Sequence, residues 1–169
     1  MKKVLLIVGI ISFYFIVGKV TADTNLIPDE AIRIRVIANS NQYEDQKLKL
    51  EIKKQLENYY FDLLKDVKGV ESASFLIQKS IPDTEKIVSS VLKNNDFNIH
   101  YGMNHFPEKE YKGVIYEEGD YQSLVVTLGS GSGKNWWCVL FPPLCLLENN
   151  DMEEVEYRSF IADTVDKYF

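Results

Sequence analysis

Both tryptophans and both cysteines of this chain fall within Gly129–Cys145, GSGSGKNWWCVLFPPLC. No other stretch limits the possible fold as strongly. The Gly/Ser run reads as a loop. Trp136–Phe141 reads as a strand, and Pro142-Pro143 makes the turn that ends it. Upstream, Leu124, Val126 and Leu128 alternate with Ser123, Val125 and Thr127, which marks another strand. The two strands are expected to pair as a hairpin. Its loop, Gly129–Asn135, exceeds a tight two-residue turn and so is either mobile or held by contacts. In a strand, Trp136 and Trp137 point to opposite faces. One then belongs to the core, and the other is an exposed or half-exposed candidate for a binding hot spot.

The amino terminus addresses the compartment. Met1-Lys2-Lys3 precedes an apolar run from Val4 to Val17, and Val20-Thr21-Ala22 supplies small residues before Asp23. This is the pattern of a secretory signal peptide cut after Ala22. The alternative is an uncleaved anchor, although the run is shorter than the roughly 20 residues of a membrane-spanning helix. Cleavage would remove Lys2, Lys3 and Lys19 and no acid, taking the net charge from −6 to −9. So acidic a chain is a poor ligand for nucleic acid or anionic lipid, which demand clustered Lys and Arg. Residues 23–169 suffice for a single domain with its own core.

Within that domain, Ile32–Ala38 (IRIRVIA) reads as a strand with Arg33 and Arg35 on one face, solvated or salt-bridged. Asn39-Ser40-Asn41 then opens a helix, with Asn41 and Glu44 spaced as a capping-box variant. The helix is expected to reach about Val67, burying Leu48, Ile52, Leu56, Tyr59 and Leu63, with Gly69 at its C′ position. In Tyr59-Tyr60-Phe61 the aromatic rings suit a core better than a ligand platform. Residues 71–79 and 83–93 form two more helices divided at Ile81-Pro82. Phe97–Met103 is a strand, Tyr111–Tyr116 a weaker one, and Glu117–Asp120 a turn. A last helix starts at Asn150, capped with Glu153, and buries Tyr157, Phe160, Ile161, Thr164, Val165 and Tyr168. The expected fold is α+β: a mixed sheet with an N-terminal strand, a long helix, further helices, a C-terminal β-hairpin region and a final helix.

Tests for chemistry are mostly negative. The GSGSGKN loop lacks P-loop spacing, because Leu128 stands where the first Gly is needed and Asn135 follows Lys134. Cys138 and Cys145 flank the Pro-Pro turn. In an exported protein they are most simply a disulfide that clamps the hairpin, with two buried thiols as the alternative. A thiol enzyme would need His100 or His105 as its base. Those two histidines lack a metal-site pattern such as His-Glu-x-x-His. Neither a metal nor a cofactor is expected. Carboxylates are abundant, and without geometry they give no support to a peptidoglycan hydrolase.

Two segments together are similar to a known family. Arg33-x-Arg35-Val36-Ile37-Ala38-Asn39-Ser40 runs on to Glu44-Asp45-Gln46-x-Leu48-Lys49-Leu50. The second is Gly131-x-Gly133-Lys134-Asn135-Trp136-Trp137 through Phe141-Pro142-Pro143 to Cys145. Both resemble the stage II sporulation protein R family of endospore-forming bacteria, over about residues 28–148 and the signal segment. Asn41 stands where that family usually has Asp, a change that keeps the capping chemistry. The resemblance implies a protein made in the forespore and exported to the space between its two membranes. There it would trigger a membrane-bound aspartic-type protease of the mother cell, which processes the sigma-E precursor. It implies a ligand and not an enzyme; a cell-envelope hydrolase and a structural role are the rivals. The expected contact surface is Gly131, Gly133, Lys134, Asn135, Trp136, Trp137, Phe141, Pro142 and Pro143. Arg33, Arg35, Asn39, Ser40 and Asp45 are expected to form a polar cluster at the strand–helix junction.

Overall fold

The computed structural model describes residues 27–93, 96–111, 114–145 and 154–169. The signal segment, Asn150 and the capping partner Glu153 lie outside these residues, as does the side chain of Tyr157. Among the described residues no helix is long and apolar enough to cross a membrane.

The chain order is β1 (Ile32–Ile37), α1 (Tyr43–Leu64), α2 (Val70–Lys79), α3 (Ile81–Leu92), β2 (Phe97–Phe106), β3 (Lys109–Tyr111), β4 (Val114–Tyr116), β5 (Gly119–Leu128), β6 (Asn135–Phe141) and α4 (Glu154–Tyr168). Four strands form one mixed sheet in the order β2-β5-β1-β6, and β3 with β4 makes a small separate ladder. This is the expected α+β class. The hairpin is not there. β1 lies between β5 and β6, parallel to the first and antiparallel to the second. The correction has a physical basis in the loop. A tight turn would hold β5 and β6 side by side, whereas Gly129–Lys134 is long enough to step across an intervening strand.

The two faces of the sheet bury different things. Ile32, Ile34 and Val36 join Leu124, Val126, Leu128, Cys138 and Leu140 in the main core, under α1, α2 and α3. The opposite face carries a second core of Phe106, Tyr121, Trp137 and Val139, closed by Val114 and Tyr116 of β4 and Ile161 of α4. Trp136 packs against the first core and Trp137 belongs to the second, so the two rings do divide between faces.

α1 is built from strong helix formers and buries Ile52, Leu56, Tyr60 and Leu64. The expected stripe is right at Ile52 and Leu56 and displaced by one residue at its ends, where Leu48, Tyr59 and Leu63 are only partly buried and Lys49, Tyr60 and Leu64 are buried. The reason is polar. Tyr60 Oη lies 2.6 Å from Thr84 Oγ1 and accepts a 3.2 Å bond from Ser80 Oγ, so its hydroxyl is satisfied inside. Tyr59 stays at the rim and donates to Asp83. α1 also starts later and ends earlier than expected. Its N-cap is Gln42, without a side-chain capping bond, so the Asn41–Glu44 box does not form. Gly69, at φ 77°, sits before α2 as its N-cap and not at the end of α1. Pro82 occupies the first turn of α3, where a missing N–H costs nothing.

Burial pushes the Tyr60 phenol up to about 12. The folded state therefore keeps this proton where the unfolded chain, titrating near 10, gives it up. Stability should be intact below pH 10 and fall between about pH 10 and 12. Tyr60→Phe is expected to cost about 1 kcal/mol at pH 7, by leaving Ser80 and Thr84 with one partner fewer. It should also flatten the alkaline decline. Urea unfolding of both chains across this pH range checks both effects.

Candidate functional site

The loop between β5 and β6 is fastened, not mobile. It crosses the carboxyl end of β1 and binds the residues that lead into α1. Ser130 donates its N–H to Asn39 Oδ1 (3.0 Å) and its hydroxyl to the Asn39 carbonyl (2.9 Å). Ser132 N–H shares that carbonyl at 3.0 Å, and Gly133 N–H reaches the Ala38 carbonyl at 2.9 Å. Lys134 N–H binds Asn41 Oδ1 at 2.8 Å, so the side chain expected to cap α1 holds the loop instead. Lys49 Nζ donates to the Lys134 carbonyl (3.2 Å) and to Gln46 Oε1 (2.7 Å). Burial, reinforced by the nearby charge of Lys134, lowers the pKa of Lys49.

The junction itself is organised around Asp45. One oxygen, Oδ2, accepts from Asn39 Nδ2 (3.0 Å) and from Ser40 Oγ (2.5 Å). Ser40 Oγ also accepts the Gln42 N–H at 3.1 Å, and its carbonyl accepts Gln46 Nε2 at 2.8 Å. The three junction residues Asn39, Ser40 and Asp45 are thus brought together as expected.

Glycine is required in the loop by space as well as by dihedral angle. Gly129 and Gly131 have φ of 52° and 63°, in the left-handed region. A Cβ on Gly131 would come within 2.6 Å of Thr127 Cγ2, and one on Gly133 would strike the Ser40 carbonyl and approach Ala38 Cβ to 2.9 Å. The Gly-rich motif is therefore the close-packing half of the fastening.

Arg33 and Arg35 lie elsewhere. The expectation of a solvated or salt-bridged face is corrected: Arg33 is only 3% exposed. Its guanidinium stacks over Tyr121 at 3.3 Å and faces Phe106 and Trp137 at 5.2 and 5.4 Å. Arg35 lies 4.1 Å from the Phe106 ring centroid and donates from Nη2 to the His105 carbonyl at 2.9 Å. Nε and Nη1 of Arg33, and Nε of Arg35, are buried without a hydrogen-bond acceptor among the described residues. Burial lowers the pKa of both; for Arg33, Tyr121 and Tyr116 partly oppose it.

The expected contact surface is partly interior. Trp137, Phe141, Pro142 and Pro143, all expected in it, are buried. The strand that carries them is roofed by α4 and β4 on one face and by the main core on the other. Lys134 and Asn135 are exposed, Gly131 and Gly133 are half-buried, and Trp136 is half-buried under Lys53 Nζ at 5.1 Å. Cys138 and Cys145 are both buried. Each directs its sulfur at the Val139 carbonyl, at 3.7 and 2.8 Å. Cys138 belongs to the helix-covered core, whereas His100 and His105 are exposed on β2, at the far edge of the sheet.

Sequence reasoning overlooked Asn41, Gln46 and Lys49 as anchors of the loop. A lysine that interrupts an apolar stripe was the available signal for Lys49. Nothing local pointed to the remaining pairing across the fold.

Comparison with known proteins bears directly on this junction and loop. The model of the stage II sporulation protein R family matches residues 28–151, which include β1, the junction, the crossover loop and β6. The chain belongs to the stage II sporulation protein R family. It is 36% identical over 135 residues to the stage II sporulation protein R of Bacillus subtilis (strain 168), an alignment covering 78% of this chain and 60% of that one. The chain thus spans less than two thirds of that relative's length. No solved structure matches. For this family member the two similar segments are now one spatial unit, since the first supplies the acceptors and the second the loop that they hold.

Gly133→Ala is expected to destabilise the fold by about 2 kcal/mol, since the carbonyl that it would meet is main chain and cannot swing away. Ser132→Ala keeps the N–H to Asn39 and should stay within about 0.5 kcal/mol of the parent. Thermal unfolding of the three chains measures the difference.

Proposed function

We propose that this chain is an exported signalling protein of endospore formation. It activates a membrane-bound aspartic-type protease of the mother cell, and so leads to processing of the sigma-E precursor. Its place of action is the space between the forespore and mother-cell membranes. Family membership carries the reading, and the amino-terminal Lys-Lys and apolar run support export. In this reading the protein acts as a ligand. Lys134 and Asn135 project from a loop whose main chain is bonded at Lys134 N–H and at its carbonyl. A surface ordered beforehand loses little freedom on binding. Activation follows if the loop binds the active arrangement of the protease better than the inactive one.

The test uses sporulating cells in which the native copy is replaced. A Lys134→Ala/Asn135→Ala chain should fold and be exported, yet processing of the sigma-E precursor should fall by at least about tenfold, the loss typical of a truncated interface hot spot. Processing at the parental rate would remove this loop from the contact surface. If deleting the whole chain left processing intact, or if the pure protein released soluble fragments from peptidoglycan, the signalling reading would give way to the envelope hydrolase.

A Cys138–Cys145 disulfide belongs to the same proposal, because an exported chain meets oxidising conditions and both sulfurs address one carbonyl. The protein recovered from its exported location without reductant should weigh two hydrogens less than its reduced form and resist alkylation. Full alkylation of both cysteines after denaturation without reductant would show that the bridge does not form.

A further inference from the structure

β2 is an edge strand, and among the described residues no strand lies beyond it. It is ten residues long and keeps an unbroken register against β5. Its sequence, FNIHYGMNHF, holds no Asp, Glu, Lys, Arg or Pro. Charge, proline and bulges are the devices that stop a free edge from pairing with another chain, and β2 carries none of them. The direction of its free main-chain groups can be read from the ladder. Gly129 N–H donates to the Asp96 carbonyl at 2.8 Å, one step beyond the Phe97–Leu128 pair. Bonded and non-bonded pairs alternate along an antiparallel ladder, so the main chain of each even-numbered residue turns toward β5. The N–H and C=O groups of Phe97, Ile99, Tyr101 and Met103 therefore turn outward. Past Met103 the His105 carbonyl is taken by Arg35 Nη2, which ends the free edge.

We propose that this edge pairs with the same edge of a second copy of the chain, antiparallel about a two-fold axis at His100. Self-complementarity identifies the occupant. With the axis at His100, every outward residue finds a bonded partner: Phe97 faces Met103 across the axis, and Ile99 faces Tyr101. Moving the axis by one residue leaves either Phe97 or Met103 unmatched. These four side chains share one face of the sheet. Phe97, Ile99 and Tyr101 are half-buried against the main core, whereas Met103 is 65% exposed. The pairing lays Met103 beside an apolar neighbour and continues the apolar stripe from one copy into the other. On the opposite face His100 meets itself, and Asn98 meets Gly102, which has no side chain to obstruct it. Two chains that each carry a net charge of −6 can meet here without bringing carboxylates together, because β2 has none. The same lack of charge gives a different, charged polypeptide nothing to select. The pairing does not depend on the activation reading.

His100 is the position to test, because its side chain is exposed and stands opposite itself at the axis. The full chain is purified in mild detergent and its mass followed by analytical ultracentrifugation. All variants share its amino terminus, so differences among them report on β2. The parent is expected to show a reversible monomer–dimer equilibrium in the micromolar range, as befits an interface below about 1,200 Å². His100→Glu and His100→Lys each set two like charges face to face and should weaken the dimer by about tenfold or more. An equimolar mixture of these two chains should restore it. His100→Cys should give a disulfide-linked dimer under mild oxidation, since opposed residues between bonded pairs lie about 4.5 Å apart at Cα. Asn98→Cys, opposite Gly102, should not. Thermal unfolding checks the fold of each chain. A parent that stays monomeric at its highest soluble concentration overturns the proposal, even where His100→Glu impairs precursor processing in cells, because the edge would then serve a different polypeptide. Dimers that both charged variants leave unchanged also overturn it. Should the charged variants fail to fold, the cysteines decide: linked dimers from His100→Cys alone support the pairing, while equal yields from both, or none from either, overturn it.

Discussion

The pairing of β1 on both of its edges governs the rest of the molecule. Because β1 separates β5 from β6, these consecutive strands cannot meet, and the chain must travel about two strand spacings, roughly 10 Å, across the end of β1. That passage would be a floppy loop but for its bonds to the residues that lead into α1, and Asn39 makes the most of them. The one residue accepts from Ser130 and Ser132 through its carbonyl, accepts again from Ser130 through Oδ1, and donates to Asp45 through Nδ2. Strand end, helix start and crossover are thereby a single hydrogen-bonded unit. Losing the loop's docking would free the first register position of β6, where Asn135 pairs with Ile37, and would release the residues that lead into α1.

The second face of β1 poses an energetic problem that the main core does not. Removing a guanidinium from water costs several kcal/mol, and Arg33 has no carboxylate within salt-bridge reach among the described residues. Aromatic faces supply the compensation, each desolvated cation–π contact contributing on the order of 2 kcal/mol. The rings are themselves mutually ordered: Trp137 meets Phe106 and Tyr116 edge-on at 5.6 and 5.3 Å. Trp137 is therefore a structural wall of a cation box that the chain fills with its own arginine. This explains how a tryptophan in a strand that looks like an interface becomes interior.

What could be read in the sequence follows the range of the forces involved. Period-two and period-three-to-four patterns report burial on a neighbouring layer, so β1, α1, α3 and β5 were visible, as was the division of Trp136 from Trp137. Pro82 reads in sequence as part of a divider between two helices, yet it lies inside the first turn of α3, where proline is tolerated. Strand order was not legible, since nothing in Leu124–Phe141 encodes that a strand from the far end of the chain will lie between its two halves. Capping failed for a related reason. Asn41 has the chemistry of a cap, but its Oδ1 is taken by Lys134, 93 residues away. Arg33 and Arg35 misled most: alternation placed them on one face correctly, while whether that face meets water or aromatic rings depends on β4 and α4, which pack there from distant sequence.

The exposed part of the loop is small, and this bears on how it can specify a partner. Lys134 projects from a main chain bonded at both its N–H and its carbonyl. Most of the strand that follows is spent on the two cores, so contact area alone cannot supply strong binding. On the proposed reading, discrimination comes instead from arrangement: a partner must offer an acceptor to Lys134 at one fixed position. A surface with a cation there would meet a like charge and leave it desolvated, which costs more than a missing contact. The fastening by Asn39 and the three loop glycines keeps that position constant, and it is on this that the loop depends for its selectivity.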